Sequence, residues 1–91
     1  MLNQRIKCGK SDSQIRKDIY SMIDEDYSEY LRVYDAKQAL LAIKRVIRMN
    51  KLENALKILM NSWTYYEADL FYKAFVEKYI NVLRSELYGK D

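Results

Sequence analysis

Apolar side chains return at every third or fourth position through most of this chain, the spacing that gathers them along one side of an α-helix. Ile15, Ile19, Met22, Ile23, Tyr27, Tyr30, Leu31 and Tyr34 form the first such series, with no Gly or Pro to interrupt it. It predicts either one long helix over 12–34 or a break near Ser28, where Asp24, Glu25 and Asp26 would suit the N-terminal end of a further helix. A second helix is expected from Ala36, Ala39, Leu40, Ile43, Val46 and Ile47, which share one face. A third, short one carries a narrow seam of Leu52, Ala55, Leu56, Leu59 and Trp63. The last, over 65–88, is apolar across nearly half its circumference, from Ala68 and Phe71 to Leu83 and Leu87, which points to the central helix of the domain.

Capping chemistry places the starts. A side-chain acceptor followed three residues later by Glu or Gln occurs at Ser11 with Gln14, Asp35 with Gln38, Asn50 with Glu53 and Thr64 with Glu67. Gly89 suits the position just past the last helix. Asn50 is the expected link between helices 2 and 3, and Asn61 to Thr64 the link between 3 and 4, so short connections fold the helices back on one another. The fold class that follows is all-α, a small antiparallel bundle of four helices, or five if the first series breaks. Residues 1–10 read as a flexible basic arm and 11–91 as one helical domain.

Composition supports helix and removes several chemistries. The chain has 91 residues, 49% of them hydrophobic and 32% charged, with two Gly and no Pro, too few turn residues for a sheet protein. With no His and one Cys, a Ser-His-Asp or Cys-His triad, the usual zinc ligand sets and a disulfide framework are excluded. No GxGxxG, P-loop, HExxH or CxxC is present. The acidic run Asp24, Glu25, Asp26, Glu29 lacks the glycine and the alternating oxygen spacing of a calcium loop. No enzyme activity, cofactor or metal is expected. No apolar signal region follows Met1, and no apolar run reaches the roughly 20 residues of a membrane span, so a cytoplasmic protein without membrane contact is expected, with Cys8 an ordinary free thiol.

Charge is distributed unevenly. Residues 1–10 carry three basic residues, 11–35 three basic against seven acidic, 36–61 six basic against one acidic, and 62–91 four against five. An acidic first helix beside a basic second one is explained by intramolecular complementarity and solvated faces, or by a recognition surface. The candidate contact residues of that surface are Lys37, Leu41, Lys44, Arg45, Arg48 and Lys51. Leu41 projects among the cations, and an apolar residue in a basic stripe suits a protein interface better than bare phosphate binding. The nine tyrosines, and Trp63 with Tyr65 and Tyr66 at the expected third junction, read chiefly as core edges whose hydroxyls reach water, and otherwise as partner anchors or stacking platforms.

The run Leu40, Leu41, Ala42, Ile43, Lys44, Arg45, then Asn50, Lys51, Leu52, Glu53, then Thr64 with Glu67, then Phe71, Tyr72, Lys73, Ala74, and finally Leu87, Tyr88, Gly89, Lys90 resembles the Hha/YmoA family of bacterial nucleoid-associated modulators. The resemblance covers 36–90. It implies a small all-helical protein that binds the oligomerisation domain of a DNA-silencing protein through charged surface residues, with Lys44 and Arg45 matching the family's basic pair. Where the family carries an aspartate-bearing Ala-Asp-His-Arg segment, this chain has Phe75, Val76, Glu77 and Lys78. Residues 50–59 are similar to the second helix of a tetratricopeptide repeat, but no copy recurs. Bacteriocin immunity proteins are similar in size, charge and helical character. The expected function is a non-enzymatic regulator with a protein partner. The alternatives are direct nucleic-acid binding, aided by Arg5, Lys7 and Lys10, or neutralisation of a cognate toxin. A homodimer is a further expectation, since Tyr27, Tyr30, Leu31 and Tyr34 ask for more cover than a monomer supplies.

Overall fold

The computed structural model describes residues 10–65 and 70–89. Ser11 opens the first helix: its hydroxyl accepts the Gln14 backbone N–H at 3.1 Å. Only half of the expected capping box forms, because the Gln14 amide donates forward to Asp18 at 2.9 Å instead of returning to Ser11. Four helices follow in chain order, α1 (Asp12–Glu29), α2 (Tyr34–Met49), α3 (Leu52–Tyr65) and α4 (Leu70–Tyr88), and no strand is found among the described residues.

The first start, the link at Asn50 and the end at Gly89 fall where expected, whereas the other boundaries are displaced. α1 does not run to 34 but stops at Glu29, and the interruption falls after Ser28, at 30–33. There the Tyr30 N–H returns to Asp26 O and Tyr27 O, and the Val33 N–H bonds Tyr30 O at 3.0 Å. The apolar series continues across this turn because Tyr27 and Tyr30 both pack on the core. The Tyr30 ring stands edge-on to Phe75 at 5.3 Å and to Phe71 at 6.1 Å. Leu31 and Tyr34 are left 54% and 69% exposed.

α2 starts at Tyr34 after Val33, which makes no side-chain cap, so Asp35 sits inside the first turn as a favourable charge rather than as the cap. Asn50 closes α2 instead of opening α3: its side-chain amide donates to Val46 O at 2.8 Å. Arg16 of α1 completes the closure, donating to Ile47 O and, at 2.7 Å, to Asn50 O. Carbonyls that a helix end leaves orphaned are thus satisfied from a neighbouring helix. α3 passes straight through Asn61–Thr64, the expected loop, and Thr64 donates to Met60 O one turn back at 3.3 Å rather than capping a new helix. Glu67 lies outside the described residues. Gly89, at φ 80°, ends α4 as expected, its N–H bonded to Ser85 O at 2.9 Å.

α2 is the element that packs against all three others, whereas α4 packs chiefly on α3 and α2. α2 and α4 share the centre: α4 brings the broad apolar face expected of it, and α2 brings the smaller residues Ala36 and Ala39, both buried, beside Leu40, Ile43 and Ile47. Ile15, Ile19 and Ile23 from α1, Leu52, Ala55 and Leu59 from α3, and Val76, Tyr79, Leu83 and Leu87 from α4 complete the core. Each buried Val, Leu or Ile among them contributes roughly 1.5–3 kcal/mol.

One acid enters this core. The Asp26 carboxylate accepts the Tyr79 hydroxyl at 2.6 Å and the Lys78 ammonium at 2.7 Å, and among the described residues no buried side-chain polar atom lacks a partner. Burial first, and then the hydrogen bond to Asp26 with the negative charges of Asp26, Glu25 and Asp24, hold the Tyr79 phenol well above its ordinary pKa of 10.0. At the other end of α1, Lys10 bridges Asp18 at 2.9 Å and Glu86 of α4 at 3.2 Å.

Two predictions follow from this packing. Ile43→Ala should lower the unfolding free energy by about 2–5 kcal/mol, while Leu41→Ala, two residues away on the outer face, should change it by about 0.5 kcal/mol or less, both read from urea titrations. For Tyr79, the folded protein keeps a proton that the unfolded chain gives up above pH 10, so its contribution is complete below that value and declines as pH rises further. Urea midpoints measured from pH 8 upward should fall more steeply for the wild type than for Tyr79→Phe, which at neutral pH is about 1 kcal/mol less stable.

Candidate partner-binding groove on the second helix

Successive residues of α2 turn about 100° around its axis, so burying Ala36, Ala39, Leu40, Ile43 and Ile47 leaves Leu41, Arg45 and Arg48 outward with Lys37 and Lys44 at the margin. Leu41, Lys44, Arg45 and Arg48 line one open concavity of about 300 Å³. Four of the six expected contact residues are thereby brought together. Lys37, half-buried, and Lys51, exposed beyond the end of the helix, are not part of the lining.

The cations are not equivalent. Lys44 donates to Asp24 Oδ1 of α1 at 3.0 Å, and its ammonium lies 5.6 Å from the centre of the Tyr20 ring. Its charge is partly answered within the molecule. Arg45 and Arg48 are exposed and form no ion pair among the described residues. Leu41, 44% exposed, supplies an apolar wall beside them. Two planar guanidinium groups next to a branched aliphatic side chain fit a carboxylate or phosphate flanked by an apolar group. The lining is one aliphatic and three cationic side chains, and no group of three or more His, Cys, Asp or Glu able to hold a metal occurs among the described residues.

The pairing of Asp24 with Lys44 was not foreseen, because linear order does not say which α1 carboxylate lies over α2. A second concavity also went unseen, about 350 Å³ between α3 and α4, lined by Met60, Trp63, Thr64, Glu77, Ile80, Asn81 and Arg84. Its one sequence signal is the exposed-aromatic reading of Trp63, over whose ring the Lys73 ammonium sits at 4.0 Å. The Tyr65 side chain and Tyr66, which were grouped with it, lie outside the described residues, as do Cys8, Arg5 and Lys7.

Compared with protein-family models, curated proteins and solved structures, the chain matches none. Among the described residues no helix is long and apolar enough to cross a membrane.

Because the groove lies outside the core, its side chains are separable from folding. Arg45→Ala and Arg48→Ala should each shift stability by about 0.5 kcal/mol or less, and Lys44→Ala by under about 1 kcal/mol, in thermal or urea unfolding.

Proposed function

We propose that this protein is a non-enzymatic regulator that works in the cytoplasm by presenting the outer face of α2 to an acidic protein partner. The observation that carries this reading is the convergence of Leu41, Lys44, Arg45 and Arg48 on one concavity, with the two arginines unpaired among the described residues. In this reading the arginines take carboxylates of the partner, Leu41 takes an apolar neighbour, and Lys37 and Lys51 extend the positive field to either side. Steering by that field speeds encounter, and the desolvated arginines with Leu41 supply most of the affinity.

The overall arrangement we attach to this function is an antiparallel four-helix bundle. It is supported by Lys10 reaching Glu86 at one end of the molecule and Tyr30 reaching Phe71 at the other. A rigid bundle offers its partner a helix face already ordered, so little conformational entropy is lost on binding. Modulation of a DNA-bound complex through protein contacts, the activity of the Hha/YmoA family that residues 36–90 resemble, is one that such a face serves.

Direct binding of nucleic acid is the competing use of the same cations. It is disfavoured by the Asp24 carboxylate against Lys44, which sets negative charge beside the stripe that a phosphate backbone would have to follow. A photo-crosslinking residue placed at Leu41 should trap a discrete protein, and Arg45→Glu with Arg48→Glu should abolish the adduct. Affinity for duplex DNA, followed by anisotropy, should stay in the non-specific range of about 10⁻⁴–10⁻⁶ M. Tight DNA binding that falls steeply with salt and depends on Arg45 and Arg48, with no protein adduct, would refute the proposal.

A further inference from the structure

We infer that the α3–α4 groove is the contact face of a homodimer, in which a second copy of this chain lays its α4 against the first in the opposite direction about a two-fold axis. The groove shares no residue with the α2 face, and the inference stands independently of the proposed function.

The charge pattern of α4 selects the occupant. Glu77 and Arg84 both line the groove, both are exposed, and neither forms an ion pair among the described residues. Seven residues apart, they lie two turns apart on one side of the helix, about 10.5 Å along its axis. The midpoint between them falls between Ile80 and Asn81, which also line the groove. Rotation by 180° about that midpoint brings Glu77 of each copy opposite the partner's Arg84, so the same two residues form two ion pairs. It also sets Asn81 next to its own copy, and an amide, being both donor and acceptor, can bond to itself. An array that becomes its own complement under a two-fold rotation is the requirement for an isologous interface. An unrelated partner would match these charges only by carrying the same array reversed.

Apart from the two charges, Thr64 and Asn81, the lining is apolar: Met60, Trp63 and Ile80. Met60 is 44% exposed and Trp63 37% exposed, while Ile80 beneath them is nearly buried. The Lys73 ammonium over the Trp63 ring favours this placement of the indole and so lowers the ordering cost of a large anchor. This face differs from the one that the sequence nominates for dimerisation, of which Tyr27 and Tyr30 pack on the core while Leu31 and Tyr34 stay exposed; none of the four lines the groove.

The test is sedimentation equilibrium of the full-length protein from micromolar to submillimolar concentration, with circular dichroism to establish that every variant is folded. The wild type should associate to a dimer. Glu77→Arg and Arg84→Glu should each weaken association by about 10-fold or more, because a like-charge pair then occurs twice in the symmetric interface. The double variant, with both charges reversed, should regain dimerisation, since its array is again self-complementary. Trp63, the sole tryptophan, should shift its emission to longer wavelength on dilution in step with dissociation. A wild type that stays monomeric throughout, a dimer indifferent to either single reversal, or a double variant no better than the singles each overturns the inference.

Discussion

A carboxylate taken out of water must find donors, and Asp26 finds two on α4, the Tyr79 hydroxyl and the Lys78 ammonium. The positions of the other helices lean on that arrangement. α1 has only three fully apolar core positions of its own, Ile15, Ile19 and Ile23, and a row of isoleucines packs almost as well after sliding along its neighbours. The buried acid removes that freedom, because any slide separates it from its donors and leaves a charge without compensation. With α1 so fixed, Arg16 meets the carbonyl end of α2 and Asp24 meets Lys44. The Tyr79 proton is part of the same lock: burial first, then the hydrogen bond to Asp26 and the negative charges of α1, drive its pKa upward.

The helical content was legible because burial depends on periodicity. Every core residue of α2, and Ile15, Ile19 and Ile23 of α1, can be read from apolar spacing alone. The ends were less legible, for a physical reason. A Ser, Asp, Asn or Thr followed by Glu or Gln offers a capping box, but the same side chains serve equally well in other roles. Asn50 caps a C-terminus, Thr64 bonds back within a helix, and Asp35 merely favours the first turn. Which role is taken depends on Arg16 and on packing, both of which are tertiary. Ser11, at the edge of the domain, caps as its local sequence directs, although Gln14 turns to Asp18 and leaves the box half formed.

The same division holds at the surface. Outward residues of an amphipathic helix are fixed by the inward ones, so Leu41, Arg45 and Arg48 could be placed on a common face before any fold was known. What spacing cannot supply is the neighbour across a helix boundary. Lys44 looks equivalent to the arginines in the sequence, yet it is the one cation of the groove held by α1. The groove is therefore polarised along its width, with a neutralised edge toward α1 and an unanswered positive edge away from it. Trp63 and Glu77 were visible as residues, but α3 had to run past Asn61 before they could share a groove with Arg84.

The proposed roles of those two surfaces place different demands on a small domain. A core supplied by four short helices has little stability to spare, so recognition groups on its outer faces are tolerated only where they do not leave buried charge behind. Arg45 and Arg48 meet that condition because their charged ends remain in water until a partner displaces it. Glu77 and Arg84 meet it differently: each is exposed in the single chain, and in the dimer we infer each would be answered by the other. An exposed Trp63 would be a liability on a permanently isolated chain, since apolar area on show invites unspecific association. In the dimer we infer, the opposite charges of Glu77 and Arg84 in the same groove direct that area toward one occupant in one orientation, and like-charge contacts oppose the rest.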